Sequence, residues 1–139
     1  MLHESIRALI LDEQARQQHR FIEGVDVERY LAKLGEEAEF VADYAGDRCR
    51  GFAAFYANQL DSVPKQAYIT LLAVDPSDRG DGLGRRLVEQ VFDIARERGF
   101  TTCRLEVADH NAGALAFYEA IGFHTVEARA GRRLLEISL

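Results

Sequence analysis

The feature that most limits what this chain can become is an abrupt junction near its middle. The apolar run Ala67 to Val74 stops at Asp75-Pro76, then Gly80, Gly82 and Gly84 follow, and a helical pattern begins at Leu83. Proline forbids a further ladder bond, so the run ends as a strand. Its unbroken apolar character suits a central strand covered on both faces. In Leu83 to Arg98, Leu83, Leu87, Val88, Val91, Ile94 and Ala95 share one face, and Gly99 closes the helix. Glycines without Cβ atoms let backbone N–H groups approach a ligand, and a helix N-terminus adds partial positive charge. The junction therefore reads as an anion cradle, with a plain glycine-rich turn as the other reading. It lacks Gly-Lys-Ser/Thr, so it is not a Walker phosphate loop. A Rossmann reading fails as well, because the acidic ribose partner about 20 residues on would fall at the helix end.

The rest of the chain is organised around that junction. Leu2, Ile6, Leu9, Ile10 and Phe21 predict an amphipathic first helix over Leu2 to Phe21, ending near Gly24. Asp26 is placed to cap a second helix running to about Leu34, with Gly35 as its stop. Phe40 to Tyr44 and Cys49 to Ala57, joined at Ala45-Gly46-Asp47, read as a hairpin. A polar loop from Asn58 to Lys65, with Pro64, leads into the central strand. After the secure helix, Thr102 to Ala108 alternates as a strand, Asn111 caps a helix through Ala120, and Gly122 ends it. Phe123 to Ala128 and Arg132 to Ser138 flank a turn at Ala130-Gly131. The order ααββ, βα, βα, ββ, without repeat or linker, predicts one α/β domain over residues 1–139.

Composition excludes several classes. Hydrophobic residues are 47% and charged residues 29% of 139, which excludes wholesale disorder. The apolar stretches Phe52 to Ala57 and Ile69 to Val74 are far too short to span a bilayer, and no secretory signal precedes them. A cytoplasmic, membrane-free protein is expected. The net charge of −6 and the absence of a basic stripe argue against nucleic acid. His3, His19, His110 and His124 are scattered, so no metal site is expected, and Cys49 and Cys103 read as small buried thiols.

A second motif, Asn111-Ala-Gly-Ala114-Leu-Ala-Phe117-Tyr118-Glu-Ala-Ile-Gly122-Phe123, combines a cap, one helix and a glycine stop. Together the two segments resemble the GNAT superfamily of acetyl-CoA-dependent N-acetyltransferases. The first fits that family's Arg/Gln-x-x-Gly-x-Gly/Ala through Arg79, Gly82 and Gly84, after a strand ending in Val-x-Pro. The second fits its Asn-x-x-Ala-x-x-Phe-Tyr-x-x-x-Gly-Phe pattern. The resemblance is close over Ile69 to Phe123. It implies a mixed, mostly antiparallel twisted sheet flanked by helices, with splayed central strands.

The resemblance also implies roles. Acetyl-CoA is the cosubstrate, without a metal. The backbone of Arg79, Gly80, Asp81, Gly82, Leu83, Gly84 and Arg85 would take its pyrophosphate, and Leu72, Ala73 and Val74 would pair with its pantetheine arm. Asn111 would hydrogen-bond the arm, Tyr118 would be the general acid at the thioester sulfur, and the Val74 N–H the oxyanion donor. A protonated alkylamine needs a base before it can attack. Glu106, twelve positions before Tyr118, is the candidate, a spacing that resembles bacterial enzymes acetylating ribosomal-protein N-termini. Glu106 also reads as a solvated strand carboxylate or a partner of Arg104. Tyr56 and Tyr68 read as core or acceptor-pocket aromatics, His110 as a surface residue or proton relay, and Arg96 to Arg98 as a wet helix end.

The implied reaction is direct attack of a primary amine in a ternary complex, without an acetyl-enzyme, since nothing near Cys103 in sequence would make its thiolate. The acceptor is a small amine (amino sugar, amino acid or polyamine) or a protein N-terminus. The contrasting reading is a non-catalytic acyl-CoA-binding module. The family also brings homodimers, paired through sheet edges or helices. The sequence departs from the family in three ways: Asp81 stands where a basic or polar residue is usual, no strand is evident before the first helix, and the C-terminal hairpin is compact.

Overall fold

The computed structural model describes residues 1–57 and 65–139. The loop expected from Asn58 to Lys65 lies outside these residues except for Lys65. In chain order the elements are α1 (Glu4–Arg16), α2 (Val27–Glu37), β1 (Glu39–Ala45), β2 (Arg48–Tyr56), β3 (Gln66–Val74), a 3-10 turn (Pro76–Asp78), α3 (Leu83–Glu97), β4 (Thr102–Ala108), α4 (Ala112–Ile121), β5 (His124–Arg129) and β6 (Arg132–Ser138). The six strands form one mixed sheet in the order β1-β2-β3-β4-β6-β5. The β3–β4 pair is parallel, whereas β6 runs antiparallel to both of its neighbours. The element order and the helix-flanked sheet are those the sequence predicts. Among the described residues no helix is long and apolar enough to cross a membrane.

The described contacts gather into two compact units. In the first, Met1–Ala54 with Leu71–Gln90, α1 and α2 bury Ile6, Leu9, Ile10, Leu31 and Leu34 against Phe52, Ala54, Leu71 and Ala73. Helix α1 is shorter than its apolar spacing predicts. The buried Gln14 amide donates to the Ile22 carbonyl at 2.8 Å, and its oxygen accepts the Ile22 N–H at 2.7 Å. That pair of hydrogen bonds draws the chain back after Arg16, through Gln18 and His19 at positive φ. Asp26 caps α2 as expected, accepting the Arg29 N–H at 2.9 Å. Gly35 does not stop that helix. It sits inside α2 because a Cβ there would come within 2.8 Å of the Leu2 nitrogen.

The second unit, Phe55–Thr70 with Val91–Leu139, is built on β4. Seven residue pairs join β4 to β6, from Thr102↔Ser138 to Ala108↔Arg132. Among the described residues the ladder between β3 and β4 pairs Gln66↔Thr102, Ala67↔Cys103 and Tyr68↔Arg104, and no described pair continues it along Leu105 to Ala108. Asn111 caps α4, and its oxygen accepts the Ala114 N–H at 3.0 Å. Gly122, at φ +126°, ends α4 and sets Phe123 against Tyr118 and Phe92.

Candidate active site

In the first unit, the 3-10 turn and the glycines carry the chain from β3 into α3. Asp75 begins the turn: its carboxylate accepts the Ser77 N–H at 3.0 Å and the Ser77 hydroxyl at 2.7 Å. Both hydrogen bonds hold its carboxyl below the usual range. Gly80 and Gly82 take φ +92° and +84°, conformations that L side chains rarely adopt. The first helical bond of α3 runs from the Arg86 N–H to the Gly82 carbonyl at 3.1 Å. The N–H groups of Gly84 and Arg85 precede it, so helix geometry supplies them with no carbonyl. Two of the expected donors are already engaged: Arg79 N–H faces the Pro76 carbonyl at 3.5 Å, and Leu83 N–H donates to the Asp81 carboxylate at 3.2 Å.

The Arg79 side chain does what the motif alone did not indicate. Its Nη2 donates to both carboxylate oxygens of Glu13 at 2.9 Å, and its Nε donates to the Val74 carbonyl at 3.1 Å. That carbonyl is therefore held by the loop itself. Glu13 belongs to α1 and is buried, at 4% exposure. Burial alone would raise its carboxyl, but hydrogen bonds from Arg16, Arg79 and Gln17 outweigh that and hold it below the ordinary range. Ala73 points into the core against α1 and α2, while Leu72 and Val74 are half-buried.

Two arginines of β2 face the loop's carboxylates. Arg48 Nη1 lies 2.7 Å from Asp78, and Arg50 reaches Asp78 at 3.0 Å, Asp43 at 2.7 Å and Asp81 at 3.4 Å. These guanidinium bonds hold the Asp78 carboxyl below the usual range. Neither arginine drew attention in the sequence, since alternation within a strand marks a face and not a partner thirty residues away.

The second unit carries the acid–base candidates. Tyr118 is buried, its ring edge-on to Phe117 and Phe123 at 5.1 and 5.6 Å. Burial pushes its phenol well up, with Cys103 adding to the effect, so the hydroxyl keeps its proton at neutral pH. A protonated phenol can donate but is a poor base. Cys103 is buried with its thiol pushed up to about 12, so it is no ready nucleophile. Cys49 is also a free buried thiol.

Glu106 occupies the exposed face of β4, while Cys103, Leu105 and Val107 occupy the buried face. Its partner is Arg132, whose Nε donates at 3.1 Å, and Arg104 pairs instead with Glu136 at 2.6 Å. Glu106 and Cys103 thus lie on opposite faces of one strand, and Tyr118 belongs with the Cys103 side. Asn111 spends its side-chain oxygen on the α4 cap, which leaves the amide group for a ligand. Among the described residues no group of His, Cys, Asp or Glu is arranged to hold a metal ion.

The comparisons with known proteins bear on both units. Residues 5–123 match the model of the acetyltransferase (GNAT) family. Over 77 residues, 55% of this chain and 51% of the relative, the chain is 42% identical to the [ribosomal protein bS18]-alanine N-acetyltransferase of Escherichia coli. The chain spans about half the length of the curated relatives it matches. The crystal structure of a Pyrococcus horikoshii protein superposes with a TM-score of 0.78 at 20% identity, covering 100% of this chain and 93% of that one. The PaiA N-acetyltransferase of Thermoplasma acidophilum, solved in complex with coenzyme A, gives 0.67 at 16% identity, covering 100% of this chain and 81% of that one.

Proposed function

Because the chain belongs to the acetyltransferase (GNAT) family, we propose that it transfers the acetyl group of acetyl-CoA to a primary amine by direct attack. The observation that carries this reading is the loop at the start of α3, whose glycine-shaped backbone and unmatched helix N–H groups suit a diphosphate. Coenzyme A supplies that diphosphate, and its thioester supplies the acyl group. Gly80, Asp81, Gly82, Gly84 and Arg85 take the diphosphate through backbone donors. Leu72 and Ala73 offer backbone groups to the pantetheine arm, and in the second unit Asn111 offers its side-chain amide to the cofactor. Val74 offers its N–H to the oxyanion.

The chemistry assigns the remaining roles. The neutral amine attacks the carbonyl carbon, the carbon–sulfur bond breaks, and the thiolate takes the Tyr118 proton. The phenol is protonated at neutral pH and so has a proton to give, although burial makes it a weaker acid than a free tyrosine. Glu106, exposed and held by Arg132, takes the proton that the amine loses. The buried Cys103 thiol has no part in the transfer.

The acceptor we favour is a small cationic amine, since a chain of net charge −6 draws cations. A protein N-terminus is the second reading, supported by the bS18-alanine N-acetyltransferase to which the chain is 42% identical over 77 residues. Thiol release from acetyl-CoA with a panel of amino acids, amino sugars, polyamines and peptides of free N-terminus tests both. Turnover with one acceptor class is expected. Coenzyme A binding without turnover on any amine would mark a non-catalytic module instead.

A further inference from the structure

The loop that meets the diphosphate carries three carboxylates of its own, Asp75, Asp78 and Asp81, within seven residues. Two are settled, Asp75 on Ser77 and Asp78 between Arg48 and Arg50. Asp81 is placed differently. Its Oδ1 accepts the N–H of Leu83, the first residue of α3, and so consumes a donor at the helix end where an anion would sit. Its Oδ2 stands 3.4 Å from Arg50 Nη2, and the side chain is 51% exposed, so rotation costs little packing. Arg50 is fixed by Asp43 at 2.7 Å and Asp78 at 3.0 Å, which leaves Nη2 turned to Asp81.

We propose that the Asp81 carboxylate is the resident anion of the cradle, that the cofactor's diphosphate displaces it, and that Arg50 receives it. This rests on the diphosphate reading of the loop and deepens it. A helix N-terminus favours one negative charge, and a second anion beside a fixed carboxylate is repelled. Displacement frees the Leu83 N–H for a phosphate oxygen, and the pair with Arg50 tightens as the carboxylate leaves the helix end. The arrangement sets a threshold. A singly charged carboxylate ligand does no better than Asp81, whereas a diphosphate brings enough charge to take its place. Asp81 and Arg50 thereby act as specificity-determining residues for the cofactor.

Calorimetric titration of coenzyme A, and separately of inorganic pyrophosphate, into wild type, Asp81→Asn, Arg50→Gln and the double variant tests this. Asp81→Asn keeps a capping oxygen and removes the charge, so both ligands bind about two- to fivefold more tightly. Arg50→Gln weakens binding, and does so less in the Asp81→Asn background, because the displaced group is then neutral. A gain in affinity is not what a damaged fold produces. Equal or weaker binding of both ligands by Asp81→Asn, where the variant melts like wild type and the wild type itself binds coenzyme A, overturns the inference and leaves the reading of the loop intact. Failure of every form to bind either ligand overturns both.

Discussion

The proposed roles of Tyr118 and Cys103 both start from burial. It raises both groups, so at neutral pH phenol and thiol alike keep their protons, as a proton donor and a bystander thiol require. Tyr118→Phe therefore lowers kcat by about 10²-fold while coenzyme A binding changes little, the pattern of an interaction made in the transition state. Equal turnover by the variant would remove Tyr118 from the mechanism. Mass spectrometry of wild type incubated with acetyl-CoA alone is expected to find no acetylated cysteine, and an acetyl group on Cys103 would contradict direct attack. Glu13 belongs to this scale too. Its folded carboxyl lies below the unfolded value, so its contribution is present above the unfolded value and is lost as pH falls through the folded one. With Arg79 half exposed, Glu13→Gln costs about 1 kcal/mol at pH 7 by urea denaturation, and the difference closes as pH falls below the ordinary carboxylate range. A difference unchanged at low pH would place the effect in packing.

At the scale of elements, caps and stops were legible where they act locally. Asp26 and Asn111 cap the helices they precede, and Gly99 and Gly122 end theirs at positive φ. Two features were misread because their causes lie across the fold. Nothing in the spacing of α1 shows that Gln14 will bind Ile22, and nothing local tells a stopping glycine from Gly35, which admits the Leu2 backbone. Gly35→Ala accordingly destabilises by about 2 kcal/mol, read from thermal melts, since the clash is with backbone. The β5–β6 turn gives the opposite case. Ala130 takes φ +52° beside Gly131 at +79°, a pair of left-handed residues that two-residue hairpins fill with Asn-Gly. Ala130→Asn raises stability by about 0.5 kcal/mol, and a lower melting temperature would contradict this account of the turn.

Over the whole molecule, element order and both motifs could be read because each rests on neighbours in sequence. The ion pairs that shape the cradle could not be read, since Arg79–Glu13 and Arg50–Asp81 join residues far apart along the chain. Asp81 stands out in the sequence as a departure from a family pattern, but its bond to Leu83 and its approach to Arg50 are set by the fold. The negative charge of the molecule also makes a prediction: raising salt from 50 to 300 mM raises KM for a polyamine acceptor and leaves KM for a neutral peptide terminus nearly fixed. The most direct test of the central claim is a calorimetric titration of CoASH into the wild-type chain. A saturable heat with one site per chain is predicted. No heat with CoASH at millimolar concentration would contradict the assignment of the loop between Arg79 and Arg85 as the diphosphate cradle.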